Sequence, residues 1–78
     1  MALITQFAEV NKDENRVHEG VECGYTMFER AGSHYLQLDT YGSRGRKFQG
    51  KVRQSIQLDE RSAGELQTLI RRAFPHLR

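Results

Sequence analysis

Residues 52–75 read VRQSIQLDERSAGELQTLIRRAFP, and this stretch decides the fold. Its first part, Val52–Leu58, alternates apolar and polar side chains, which is typical of a β-strand with one buried face. Its second part carries apolar residues at helical spacing from Ala63 to Phe74, and Pro75 then interrupts the pattern. The stretch therefore predicts a strand followed at once by an amphipathic helix.

The start of this helix has two candidate N-caps, Asp59 and Ser62. Ser62 is followed three residues later by Glu65, which is the spacing of a capping box. In that arrangement the serine hydroxyl and the glutamate carboxylate each bind a backbone N–H of the first helical turn. The sequence predicts a helix over residues 60–74 and leaves both candidate N-caps open.

Two more alternating segments lie upstream and form a hairpin signature. Val21–Glu29 and Tyr35–Tyr41 both alternate, and the glycine-containing turn Arg30–Ser33 lies between them. Residues 3–10 have mixed apolar spacing and are predicted as a further strand, followed by a polar, turn-like segment. Strands followed by a single helix indicate an α+β protein rather than a parallel, alternating fold.

The 78 residues are enough for one small domain. The predicted architecture over residues 1–78 is an antiparallel three- to four-stranded sheet followed by one C-terminal helix packed on one face. The sheet occupies residues 21–58, and residues 1–20 are a poorly defined N-terminal segment. A core this small favours a second subunit, so a homodimer is expected.

Positive charge is concentrated in residues 42–53, GSRGRKFQGKVR. The whole chain has a net charge of +2, yet this segment holds five cations and no acid. Lysine and arginine neutralise phosphates and release counterions, which gives affinity for any nucleic acid. The predicted phosphate contacts are Arg44, Arg46, Lys47, Lys51 and Arg53.

The face of the sheet opposite the helix is the second part of the predicted site. If the helix covers the side with Leu36 and Leu58, the other side shows tyrosine and glutamine. Aromatic rings stack on unpaired bases, and amides bond base edges or sugars. The predicted contacts on this face are Tyr35, Gln37, Tyr41 and Gln57. A solvated cationic loop and dimer-interface tyrosines are the alternative interpretations of the same residues.

Other chemistry finds little support in the sequence. Cys23 is the only cysteine, which precludes an internal disulfide, and it is predicted to be a small buried side chain. The three histidines are scattered without metal-ligand spacing. The sequence indicates no Ser–His–Asp arrangement, no carboxylate pair on a common face with a histidine, and no phosphate-binding glycine loop. We expect a non-enzymatic protein with no catalytic residues, no cofactor and no metal. The absence of a long apolar run predicts a soluble, cytoplasmic protein without membrane contact.

Residues 35–70 resemble the positive-cofactor-four-like transcriptional coactivators, a family of small single-stranded-DNA-binding domains. The likeness rests on YLQLDTY (Tyr35–Tyr41) and GKVRQSIQLDE (Gly50–Glu60), with the basic segment between them. The resemblance implies a homodimer whose C-terminal helices pack together and whose sheets bind single strands. By motif match, Arg53 falls at a basic strand position of the family. Asp39 departs from the family pattern because a basic residue is usual there, and Gly42 replaces a stacking tryptophan.

The sequence therefore predicts a nucleic-acid-binding protein that prefers single-stranded DNA or RNA with little sequence specificity, as a transcription-related regulator would. One alternative is a duplex DNA reader, with Gln37, Arg53 and Gln57 against base edges. The other is a protein–protein interaction module that uses the acidic residues 9–29 and the basic segment.

Overall fold

The computed structural model describes residues 1–41 and 52–78, and within them the chain forms four strands and one helix. The strands form one sheet in the order β1-β4-β3-β2. The fold class is therefore α+β with a single helix on the sheet, as predicted. The elements are β1 (Ala2–Ile4), β2 (Cys23–Arg30), β3 (Ser33–Tyr41), β4 (Val52–Leu58) and α1 (Glu60–Ala73).

A two-residue turn joins β2 to β3 and sets their register. Arg30 is paired with Ser33, and the two residues between them, Ala31 and Gly32, have φ angles of 54° and 83°. Positive φ at both central positions is the mark of a type I′ turn, whose twist matches that of the flanking strands. The turn fixes which residues lie opposite each other along the whole hairpin, from Arg30 and Ser33 at the turn to Cys23 and Thr40 at the other end.

The N-terminal strand corrects the sequence prediction in two ways. The strand is Ala2–Ile4 rather than residues 3–10, and it pairs with β4 in parallel, so the sheet is mixed and not purely antiparallel. It also lies outside the range 21–58 that was assigned to the sheet. The chain leaves the sheet after Ile4 because it crosses to the helix, where the Phe7 N–H donates to Glu65 Oε1 at 3.0 Å.

The sheet has two unlike faces. Opposed residues of paired strands share a face, so Leu36, Leu58 and Ile4 lie on one side, with Leu38 and Ile56 next to them. We call this the helix face, because a cavity there is bounded by Leu36 and Leu58 of the sheet and by Ala63 of α1. The opposite side, which carries Tyr35, Gln37, Asp39, Ser55 and Gln57, is the open face.

The helix begins with a capping box whose N-cap is Asp59, one of the two predicted candidates. Asp59 Oδ1 accepts from the Ser62 N–H at 2.9 Å, and the Ser62 hydroxyl accepts from the Asp59 N–H at 3.0 Å. Glu65 accepts instead from the N–H of Phe7, so the Ser62–Glu65 pattern is not the one that caps the helix. The helix ends at Ala73, two residues before Pro75, close to the predicted end.

Within the described residues the core of a single chain is very small. Leu58 is the only hydrophobic residue there that is buried, at 2% exposure. Ile56 on the helix face is 37% exposed, and Tyr25 and Met27 on β2 are 68% and 73% exposed. Cys23 is exposed rather than buried as predicted, because its end of β2 extends beyond the cover of the helix.

Candidate nucleic-acid interface

A shallow groove of about 550 Å³ lies on the open face. Residues of all four strands line it. No helix residue lines it, so it is open to solvent on the side away from α1. Its lining residues are Leu3, Phe28, Glu29, Arg30, Tyr35, Gln37 and Gln57, so it holds one acid and one cation.

An aromatic pair forms one wall of this groove. The rings of Phe28 and Tyr35 are stacked, with centroids 5.3 Å apart and planes 21° from parallel. The two residues are directly opposed on β2 and β3, so the register of the hairpin brings the rings together. Both side chains are half-buried. The remaining exposed ring surface is a platform on which a flat, unpaired base can stack.

Beside the aromatic pair, a chain of side-chain hydrogen bonds links β4 to β3. Gln57 Nε2 donates to Gln37 Oε1 at 2.8 Å. Gln37 Nε2 in turn donates to the two carboxylate oxygens of Asp39, at 3.1 Å and 3.3 Å. Ser55 Oγ donates to the same carboxylate from β4. The donors all point toward Asp39, which is therefore the acceptor at the end of the chain.

Asp39 lies on the face that strand alternation predicts for it, but it was not among the predicted site residues. Its side chain is 9% exposed and Ser55 is 6% exposed, so the carboxylate lies below the surface of the open face. Hydrogen bonds to the carboxylate offset the cost of burying its charge. Nevertheless, its negative charge opposes phosphate binding directly above it.

The predicted site residues are only partly brought together. Tyr35, Gln37 and Gln57 meet in the groove, as predicted. Tyr41 is half-buried at the far end of β3, six residues and thus about 20 Å from Tyr35. Tyr35 and Tyr41 therefore share a face but cannot contact the same base.

Of the five predicted cations, Arg53 is the one within the residues that the structure describes. Arg53 is exposed and lies at a bulge: Thr40 is opposite Gln54 and Tyr41 is opposite Val52, which leaves Arg53 without a partner residue on β3. Four other cations lie outside the described residues. These are Arg44, Arg46, Lys47 and Lys51.

Sequence reasoning missed four residues of the groove lining: Leu3, Phe28, Glu29 and Arg30. Of these, Phe28 supplies an aromatic ring and Arg30 a cation. The two-residue turn is the sequence signal that identifies Phe28 and Arg30. It places Arg30 opposite Ser33 and therefore Phe28 opposite Tyr35. Arg30 is exposed, so it supplies a cation at the groove that does not depend on the basic segment.

Among residues 1–41 and 52–78, no group of three or more His, Cys, Asp or Glu side chains is placed to hold a metal ion. The one helix in the described part of the chain is too short and too polar to cross a membrane. Comparison with protein-family models, with curated proteins and with solved structures found no match to the chain. The resemblance to positive-cofactor-four-like domains thus stays a prediction from short motifs.

Proposed function

We propose that the protein binds single-stranded DNA or RNA with little sequence preference. The observation that carries the proposal is the groove on the open face, where the stacked Phe28–Tyr35 pair lies beside Arg30. Ring surface and a guanidinium group in one groove suit a flexible strand, because bases can stack while phosphates meet the cation. The groove is also free of the helix, so a strand can enter along its length.

The hydrogen bonds of the two glutamines favour weak sequence preference. The amide of Gln57 donates to Gln37, and the amide of Gln37 donates to Asp39. A base edge would have to displace these bonds before the amides could read it, and that exchange gives little net energy. The same bonds argue against the duplex reader, which needs both glutamines free to contact base edges.

The distribution of charge supports the same proposal. The chain leaves β3 at Tyr41 and re-enters the sheet at Val52, opposite it, and the intervening segment with Arg53 carries five cations and no acid. These charges are predicted to supply affinity for phosphates that does not depend on sequence. The buried carboxylate of Asp39 sets a limit on that affinity near the middle of β3.

The proposal is tested by fluorescence anisotropy with a labelled oligothymidine, and with the matching duplex as competitor, over a series of salt concentrations. We expect binding at about 50 mM salt that weakens as salt rises, and preference for the single strand. Changing Arg46, Lys47 and Lys51 together to Ala should reduce the salt dependence by about 0.7 for each phosphate that the variant no longer neutralises.

Two further variants separate stacking from charge. Tyr35→Leu should weaken binding by about tenfold, because stacking contributes about 1–3 kcal/mol per base, and should leave the salt dependence unchanged. Arg61→Gln is the matched control, since Arg61 is 80% exposed on the helix, away from the groove. Absence of binding at low salt, or equal losses from Tyr35→Leu and Arg61→Gln, would sink the proposal. Tighter binding to the duplex would select the duplex reader instead.

A further inference from the structure

Strand β2 has an edge that no strand of the described residues covers. It pairs with β3 on one side, and it is the outermost strand of the sheet order. Its sequence, CGYTMFER, contains neither proline nor lysine, the residues with which proteins commonly block an exposed edge. The outward-pointing backbone groups of alternate residues along these eight positions are a ready template for another strand.

The side chains of the same strand are also poorly covered. Tyr25 and Met27 project on the helix face and are 68% and 73% exposed, although they lie next to Leu36 and Leu38. Helix α1 packs mainly on β3 and β4, so these two side chains are left largely uncovered. Because Leu58 is the only buried hydrophobic residue among those described, a surface that extends this face would add to a very thin core.

The geometry points to a second copy of this chain as the partner of β2, paired antiparallel edge to edge about a two-fold axis through Thr26. The result is one continuous eight-stranded sheet. This inference goes beyond the proposed function. The two share one residue, Arg30, which also lines the groove, so self-association is tested without nucleic acid.

Symmetry restricts the possible registers. Along β2, residues whose N–H and C=O point outward alternate with residues whose groups bind β3. Two identical antiparallel strands can therefore pair only where one residue lies opposite its own copy. Such registers also keep the two helix faces on the same side of the joined sheet, since opposed residues share a face.

Charge selects the register centred on Thr26. It sets Glu22 of each copy opposite Arg30 of the other, so two opposite-charge pairs form at the ends of the interface. Tyr25 is then opposite Met27 of the second copy, and no like charges are opposed. Moving the axis to Met27 loses both charge pairs and places Glu29 opposite Tyr25.

The joined sheet leaves room for both helices. Each helix lies over β3 and β4, so strand spacing of about 4.8 Å separates the two helix axes by about 19 Å. A helix with its side chains is about 10–12 Å across, so the helices do not collide. Between them lies a trough lined by Tyr25 and Met27 of both copies.

The first test is sedimentation velocity at micromolar concentration with charge-reversal variants. We expect the unmodified chain to be a dimer. Glu22→Arg and Arg30→Glu should each raise the dissociation constant about tenfold, because both pairs become like-charged, and the double variant should restore it to within about threefold. Glu14→Arg and Arg16→Glu, in the segment between β1 and β2, are matched controls with no expected effect.

Cysteine cross-linking tests the register independently, in a Cys23→Ser background. Thr26→Cys should form an intermolecular disulfide under oxidation, because the two copies of the residue are directly opposed. Glu29→Cys should not, since its two copies are six residues apart along the ladder, about 20 Å. The inference is overturned if the chain is monomeric, or if neither single charge reversal changes the dissociation constant of the dimer. It is also overturned if Glu29→Cys cross-links instead of Thr26→Cys.

Discussion

The turn between β2 and β3 gives a sharp prediction for stability. Ala31 has φ of 54°, in the left-handed region, and no glycine stands there to accept it. For a residue with a Cβ this conformation costs roughly 1–2 kcal/mol, whereas asparagine tolerates it through local hydrogen bonds. Ala31→Asn places the preferred Asn-Gly pair in the type I′ turn and should recover about half of that cost, about 0.5–1 kcal/mol.

The assay is thermal and urea unfolding followed by circular dichroism at one fixed protein concentration. For a domain of this size, the gain corresponds to a rise in Tm of about 2–8 °C, with an unchanged urea m value. Gly32→Ala is the matched control in the same turn. Its φ is 83° and an added Cβ would meet no atom within 4 Å, so its cost comes from the backbone alone. It should lower stability by about 1 kcal/mol.

The reasoning is refuted if Ala31→Asn lowers the Tm, or if Gly32→Ala leaves it unchanged. Either result would mean that the turn does not hold both residues at positive φ. Because the turn sets the register of the hairpin, the opposition of Phe28 and Tyr35 would then also need revision.

Three further predictions follow from the helix and the open face. Gly64→Ala should stabilise the protein by about 1 kcal/mol in urea unfolding, because Gly64 lies inside α1 and an added Cβ meets nothing within 4 Å. If the variant is instead less stable, a partner packs at this position. Hydrogen bonds hold the pKa of Asp59 below its ordinary value, and the largest contribution comes from the backbone N–H of Ser62. The ionised Asp59 carboxylate therefore stabilises the folded protein above about pH 4, and this stabilisation is lost as the pH falls through the lowered pKa. Asp59→Asn should therefore flatten the acid side of the stability profile, and an unchanged profile would contradict this. Asp39→Asn should tighten oligonucleotide binding severalfold at low salt, as read by anisotropy, and an unchanged affinity would show that the carboxylate does not repel phosphate.

The parts of the fold that the sequence predicted are those with local causes. Alternation located β2, β3 and β4 to within two residues, and helical spacing with Pro75 located α1. The N-terminal strand was predicted too long and its partner was not predicted, since parallel pairing with β4 depends on residues more than 50 positions away. The N-cap of helix α1 shows the same division between local and distant causes. Asp59–Ser62 and Ser62–Glu65 are both local capping patterns. The structure uses the first, while Glu65 accepts from the distant N–H of Phe7.

The candidate site was predicted to a similar extent. Alternation placed Tyr35, Gln37 and Gln57 on one face, because a strand has a period of two. It could not reveal that the amides bond each other and end on a buried Asp39, since that depends on the register between β3 and β4. The bulge opposite Tyr41 likewise has no signature in the residues themselves, so the position of Arg53 needed the structure.

The parallel pairing of β1 with β4 also has a consequence for folding. Ala2 and Ile56 are opposed across 54 positions of chain, and the loop closure that joins them is slow compared with formation of the β2–β3 hairpin. During synthesis β1 is made before β4 and cannot dock until β4 has left the ribosome. β1 has no template until that point, and β4 keeps an open edge from its emergence until β1 docks. The interval between hairpin formation and β1 docking is thus the stage at which a nascent chain is most exposed to wrong strand pairing.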